Sequence, residues 1–448
     1  MSNNSKKLVI NQAGRLGIAF LLLTVVVLAG CQGKSILDAV FPQQEEAVGI
    51  LEPSKVTSEA VDEETLPTPK PSEFLDLNVW VPQQFDIEAE TESAILIRER
   101  FQEFSENNPQ INLNVRTKPA TGPGSIIETL TSASAVAPEA VPSLVLISRS
   151  DLVQAASKNL LFPVAGLSDV MEEKDWFDVA RELGIYEGTR YCIPFAANAI
   201  GLVYKQPEFI NDQPNWTDVI RQSDKLYFSS GDPEALTTIA LYLSAGGVLP
   251  GKSGRPVLDA NALFSVLSAY ASAAKNDRIP GSVLDLQTDD QVWDAFLSSN
   301  RSSVLTWTNH ALAEQELYKL ALLPSFGNES FTLAGGWLWC MTEPHERDRI
   351  QAMALANYLS LPEFLGLWAP LSGYLPVRPS SIQGFEGTPL QDTILKTLIS
   401  AHVRPDKSQI SEIGAEIKQA ISEVLLQQKS PEESAQNIIL RLEALNSQ

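Results

Sequence analysis

The sequence predicts an α/β protein long enough for two or more packed lobes. Strand-like and helix-like stretches interleave along most of the chain, the pattern of parallel strands joined through crossover helices. Its 448 residues are enough to fill more than one sizeable core. Hydrophobic residues make up 44% and charged residues 20%, so the interior can be filled while the surface stays soluble.

Residues 1–30 read as a secretory leader. Lys6, Lys7 and Arg15 give the positive start, and the apolar run from Ile18 to Leu28 is short for a membrane span. Leu28-Ala29-Gly30-Cys31 resembles the bacterial lipobox. That motif implies cleavage before Cys31 and diacylglycerol on its thiol. The mature protein is then expected outside the cytoplasm, lipid-anchored to the outer face of the cell membrane. Residues 31–73 are rich in Pro, Glu, Ser and Thr and end in Leu66-Pro67-Thr68-Pro69-Lys70-Pro71-Ser72. Such a stretch buries too little apolar surface to offset its ordering entropy, and reads as an acidic flexible linker.

The folded body starts with the β-rich run Leu75 to Val81. Ala94, Ile97, Phe101 and Phe104 then fall on one helical face, which Asn108-Pro109 ends. Ile111, Leu113 and Val115 alternate with polar residues as a half-buried strand does, completing a βαβ unit. Val141 to Ile147 is a further apolar strand, followed by a helix over Ser150 to Lys158. Tyr191 to Tyr204 is a long extended segment with small residues at its centre. Helices are expected over Glu234–Ser244 and Ala260–Lys275, and strands over Ser302–Thr308 and Phe331–Met341. Ser430-Pro431-Glu432-Glu433 has the hydroxyl, proline and acid of a helix start.

The net charge of −22 excludes a nucleic-acid partner, since phosphate binding runs on Lys and Arg displacing counterions. With Cys31 lipidated, Cys192 and Cys340 remain; an oxidising compartment permits a bridge between them, and two buried free thiols are the alternative. The three histidines, His310, His345 and His402, show no metal-ligand spacing, and there is no Gly-x-Ser-x-Gly elbow. No catalytic residue, metal or cofactor is assigned. Gly246, Gly251, Lys252 and Ser253 satisfy the phosphate-loop pattern by letter, but the stretch follows a helix instead of a strand and reads as a plain loop.

From about Leu75 to Leu445, ordered landmarks resemble the extracellular solute-binding proteins of ABC importers, in particular the carbohydrate-type, maltose-binding-protein-like family. They include Asn108-Pro109 before the Ile111 strand, Pro142 to Ile147 before Asp151-Leu152, and Arg190 to Phe195 running through Val203-Tyr204. Further along come Asn215-Trp216-Thr217, Phe296 through Val304 to Trp307, Gly335-Gly336-Trp337, and Gly373-Tyr374-Leu375-Pro376-Val377-Arg378. Tyr204-Lys205 departs from the family's Tyr-Asn, and Ser298, Ser299 and Asn300 stand where a glycine is usual. The resemblance implies the two-lobe periplasmic-binding-protein type II fold, with crossing hinge strands and a ligand cleft between lobes. Lobe 1 is expected over 74–197 and 338–380, and the helix-rich lobe 2 over 198–337 and 381–448. It also implies a monomer that captures a small solute, a mono- or oligosaccharide, by cleft closure and delivers it to a permease and its ATPase. A surface glycoside hydrolase and a solute sensor for a membrane receptor are the alternatives.

A sugar site needs aromatic platforms and planar polar groups in a concave pocket. Candidates at strand ends and crossings are Trp80, Gln83, Ser148, Arg149, Asn198, Trp307, Asn309, Trp337, Trp339 and Tyr374, with Trp337 and Tyr374 foremost; for each tryptophan the other role is core. Arg149 or Lys205 suits an anionic ligand instead, with solvated surface charge as the commoner role of such cations. Ala197, Asn198, Ala199, Gly335 and Gly336 are the expected hinge, with a bulge or tight strand approach as the alternative for the glycine pair.

Overall fold

The computed structural model describes residues 74–205, 213–221, 224–249, 258–300, 302–327 and 329–445. The leader, the lipidation site Cys31, the linker and residues 250–257 of the glycine-rich loop lie outside the described residues.

The strands are β1 (Leu75–Pro82), β2 (Ile111–Lys118), β3 (Leu144–Ser148), β4 (Ile185–Tyr186), β5 (Thr189–Arg190), β6 (Cys192–Tyr204), β7 (Lys225–Tyr227), β8 (Ser302–Trp307), β9 (Lys319–Leu322), β10 (Thr332–Met341) and β11 (Ala401–Val403). The helices of the first part are α1 (Glu92–Asn107), α2 (Ile126–Val136), α3 (Arg149–Ser157), α4 (Asp178–Leu183), α5 (Trp216–Arg221), α6 (Leu236–Ser244) and α7 (Ala260–Lys275). Those of the second are α8 (Asp289–Ser298), α9 (Asn309–Ala313), α10 (Glu346–Leu359), α11 (Pro362–Ser372), α12 (Gln391–Ser400), α13 (Lys407–Leu425) and α14 (Pro431–Leu445). None is long and apolar enough to cross a membrane.

Side-chain caps set several helix starts, among them the one expected at Ser430. Thr91 accepts from the Ala94 N–H at 3.2 Å to start α1, whose buried face is Ala94, Ile97, Phe101 and Phe104. Ser430 accepts from the Glu433 N–H at 3.1 Å to start α14. α6 begins at Leu236, two residues later than expected, because Ala235 is left-handed with φ 49°.

Strand order in the large sheet is β2-β1-β3-β10-β6-β8-β7, with β11 beside β10 and β9 beside β6. β1 is parallel to both β2 and β3, as the βαβ reading requires. The other parallel pairs are β7 with β8 and β10 with β11. β6 and β10 are long antiparallel partners that serve both halves of the sheet. One end of β6 pairs with β10, and from Ile200 onward it pairs with β8 and β9.

Two hydrophobic cores lie on this frame. Along β6 the second core begins at Ile200, with Val203 returning to the first, and along β10 the change falls between Leu333 and Ala334. Ile382, Phe385, Leu390, Ile394, Leu398 and Ala401, expected in the second lobe, are buried in the first core. The reason is that α12 packs on α4, β6 and β9, and the turn before it packs on α11. Val203, Val292, Phe296, Val304 and Leu320 also join the first core, because α9 packs against α11 and β9 against α12.

Cys192 and Cys340 are register partners on β6 and β10 and form a disulfide, which answers the question the sequence left open. Gly336 is explained by close approach: a Cβ there would meet the Ala196 carbonyl oxygen at 2.4 Å. A bulge between Trp337 and Leu338 lies beside it.

Candidate functional site

In open α/β sheets, solutes settle beyond the carboxyl ends of the strands. β7 and β8 run parallel, and a cavity of about 230 Å³ lies past their carboxyl ends, against the crossing strand β6. Ile200, Ser229, Asp232, Glu234, Leu236, Thr237, Gln287, Asp289, Thr306, Trp307 and Arg404 line it. Its aromatic wall is Trp307, half-buried at the end of β8. The Trp307 ring reaches within 3.8 Å of where a Cβ on Gly335 would stand, so glycine keeps that approach open.

The polar wall comes from two turns that open helices. Before α6, the Asp232 carboxylate accepts from the Glu234 N–H at 2.9 Å and the Leu236 N–H at 3.1 Å. Burial lifts the Asp232 pKa above its ordinary value, although these donors oppose the rise. Glu234 is ion-paired with Arg404, whose own N–H donates to the Ala334 carbonyl at 2.8 Å. Before α8, Thr288 and Gln291 form a capping box. Asp289, first in that helix, accepts from the Thr306 hydroxyl and from the Trp307 N–H at 3.4 Å. Its other oxygen lies 2.6 Å from His310 Nε2. The carboxylates thus fix the rim of the platform and keep lone pairs for ligand hydroxyls.

The sequence candidates divide. Trp307 lines the cavity. Asn198 and Asn309 meet one another: the Asn198 amide donates to Asn309 Oδ1 at 2.6 Å, and Asn198 Oδ1 accepts from the Thr308 hydroxyl at 2.7 Å. They fasten β6 to the start of α9. Trp337 and Tyr374 form a second aromatic group, each half-buried against Phe85, with ring centroids at 5.3 and 5.4 Å. Burial pushes the Tyr374 hydroxyl up to about 12, against a hydrogen bond from Trp337. Leu375 pairs with Ala197, which holds this group against the crossing strand.

Others have structural roles. Trp339 is fully buried between Phe101 and Phe195 and belongs to the core, not to an open cleft. Trp80 is also buried, with the Lys118 ammonium 4.5 Å from its ring centre. Ser148 caps α3, accepting from the Asp151 N–H at 3.1 Å. Arg149 is buried against Asp406 at 3.1 Å and donates to the Ile185 carbonyl at 2.8 Å. Lys205 donates to the carbonyls of Phe296, Leu297 and Ser299, closing the end of α8. Neither cation is left for an anionic ligand. Gln83 is exposed just past β1.

Asp232, Glu234, Asp289 and Arg404 were missed by sequence reasoning. The signal for the three acids was position: each lies at or just before the start of a helix.

A larger cavity of about 450 Å³, lined by Asn215, Trp216, Thr217, Asp218, Arg221, Ser325 and Phe326, adjoins chain outside the described residues. Asn215 and Asp218 there are paired with one another's N–H groups, as in a capping turn. The smaller cavity is the better candidate because it sits at the sheet's carboxyl edge.

Residues 99–396 match the model of the bacterial extracellular solute-binding protein family. No curated protein matches the chain. Among solved structures, the chain is similar to the maltose-bound MalE3 of T. maritima, with a TM-score of 0.62, 16% identity, 83% of this chain covered and 100% of that one. It is similar to the cyclic alpha-maltosyl-1,6-maltose binding protein of Arthrobacter globiformis at TM-score 0.65 and 15% identity, covering 82% of this chain and 98% of that one. It is also similar to UgpB of Mycobacterium tuberculosis in complex with glycerophosphocholine, at TM-score 0.63 and 15% identity, covering 83% and 98%. At such identities the likeness shows the fold, the two-lobe periplasmic-binding-protein type with crossing strands. With the model matching 99–396, the chain belongs to the bacterial extracellular solute-binding protein family.

Proposed function

We propose that the protein captures a small hydroxylated solute, a mono- or oligosaccharide, by closing its lobes over the cavity beside Trp307, and passes it to the permease and ATPase of an ABC importer. The observation that carries the reading is the cavity's place: at the carboxyl ends of β7 and β8, beside the strands β6 and β10 that run from one core to the other. A solute held there that also reaches the first lobe favours the closed form by its differential contacts. The lobes meet along β6 and β10 near Ala199 and Ala334, with Ala197, Asn198, Ala199 and Gly335 as hinge residues. Cys31 anchors the mature chain by lipid to the outer face of the membrane, and 31–73 acts as its tether.

Trp307 offers a ring to the apolar face of a sugar, and the surrounding carboxylates accept from its hydroxyls. Trp337 and Tyr374 are the matching aromatic group of the first lobe. Structural similarity to solved proteins that bind maltose, cyclic alpha-maltosyl-1,6-maltose or maltotetraose supports a carbohydrate.

The test is a thermal-shift panel of glucose, maltose, maltotetraose, polyols, glucose 6-phosphate, glycerol 3-phosphate and glycerophosphocholine. A solute present at 100 times its Kd stabilises the native state by about 2.7 kcal/mol. Stabilisation by one or more solutes recovered unchanged supports capture. Chromatographic appearance of cleaved sugar supports a hydrolase instead.

A further inference from the structure

We infer that Asp232 sets the solute class of the cavity by closing the N-terminus of α6 to anions, so that hydroxylated solutes enter and phosphorylated ones are turned away. This rests on the solute-capture reading and adds a discriminating residue to it.

A helix N-terminus that opens into a ligand cavity attracts phosphate, because its free N–H groups and dipole favour negative charge. α6 opens into this cavity with Leu236 and Thr237 in the lining. Yet the position of an incoming anion is taken by the chain's own carboxylate, bonded to the N–H groups of Glu234 and Leu236 at 2.9 and 3.1 Å. The balance around it has the same sign. Asp232, Glu234 and Asp289 line the cavity with a single guanidinium, that of Arg404, already held by Glu234.

The other cations that sequence reasoning offered to an anion are committed elsewhere. Lys205 is spent on three carbonyls at the end of α8, and Arg149 on Asp406 and the Ile185 carbonyl. A phosphate placed here meets like charge without a free donor cluster, whereas hydroxyls donate to the lone pairs these carboxylates keep.

The test measures the same solute panel, with inorganic phosphate added, against the wild type, Asp232→Ser and Asp232→Asn. Serine and asparagine both retain a side-chain oxygen able to cap α6, so the fold has a route to survive loss of the charge. The expected result is that neutral sugars stabilise the wild type and phosphorylated solutes do not. The variants then narrow that preference by about tenfold or more, as removal of a like charge next to a ligand does. Equal stabilisation of the wild type by phosphorylated and neutral solutes overturns the inference while capture stands. Unchanged discrimination in both variants overturns it too. Failure of every solute to stabilise the wild type removes the capture reading, and this inference with it.

Discussion

Arg149, first residue of α3, and Asp406, the N-cap of α13, form a buried ion pair at 3.1 Å. α3 packs in the first core and α13 in the second, so the pair is a polar strut between them. Burial lowers the Arg149 pKa and Asp406 opposes that fall. Removing one partner leaves the other charge buried without its counter-charge. Arg149→Met is therefore expected to cost about 3–5 kcal/mol in urea unfolding. The double variant Arg149→Met/Asp406→Ser, which keeps a capping oxygen on α13, is expected to recover part of that loss. Equal losses in single and double variants contradict the strut.

The Cys192–Cys340 disulfide joins the two long strands at the end buried in the first core. Its loop spans a sequence separation of 148, which raises the entropy of the unfolded chain when the link is cut. The Cys192→Ala/Cys340→Ala protein is expected to be about 2–5 kcal/mol less stable in denaturant unfolding. An unchanged midpoint contradicts this.

The tryptophans are expected to behave in opposite ways. Trp339→Ala leaves a void among Phe101 and Phe195 and is expected to cost about 3–5 kcal/mol of stability. Trp307→Ala empties a half-buried cavity wall; it is expected to spare most of the unliganded stability and to abolish stabilisation by solute. Thermal unfolding with and without solute reads both. Retention of the full solute shift in Trp307→Ala removes this ring from the site.

Solute affinity is expected to fall as pH falls through the raised pKa of Asp232. Hydroxyls bind the ionised carboxylate, and protonation takes away an acceptor. The unliganded protein runs the other way: a carboxyl whose folded pKa is raised contributes stability below its unfolded pKa, lost as pH rises through the folded value. Glu234, Asp289, Arg404 and His310 lie in or beside the same cavity, so Asp232→Asn is the control that isolates this group. Solute shifts measured between about pH 7 and about pH 4 are expected to decline in the wild type and to decline less in that variant. Parallel declines contradict the assignment.

The sheet was legible because its strands carry their own periodicity: Tyr191 to Tyr204 read as one extended segment, and it is β6. The Ser430 helix start was legible because capping works within a few residues. What sequence could not show depends on contacts distant in the chain. Lys205 looked free because the α8 carbonyls it closes are supplied by Phe296 to Ser299. Trp337 and Trp339 look alike in sequence, and only the packing of Phe101 and Phe195 makes one of them core. Asp232 and Asp289 read as ordinary acids at helix starts until β7 and β8 lie parallel and bring both turns to one edge.

The central claim is that two lobes joined along β6 and β10 draw together when solute fills the cavity. Small-angle X-ray scattering of the mature protein, with and without a saturating solute identified by the thermal-shift panel, tests this most directly. A smaller radius of gyration is expected with solute, and that change is expected to be lost in Trp307→Ala. Superimposable wild-type profiles, with solute shown to be bound, contradict it.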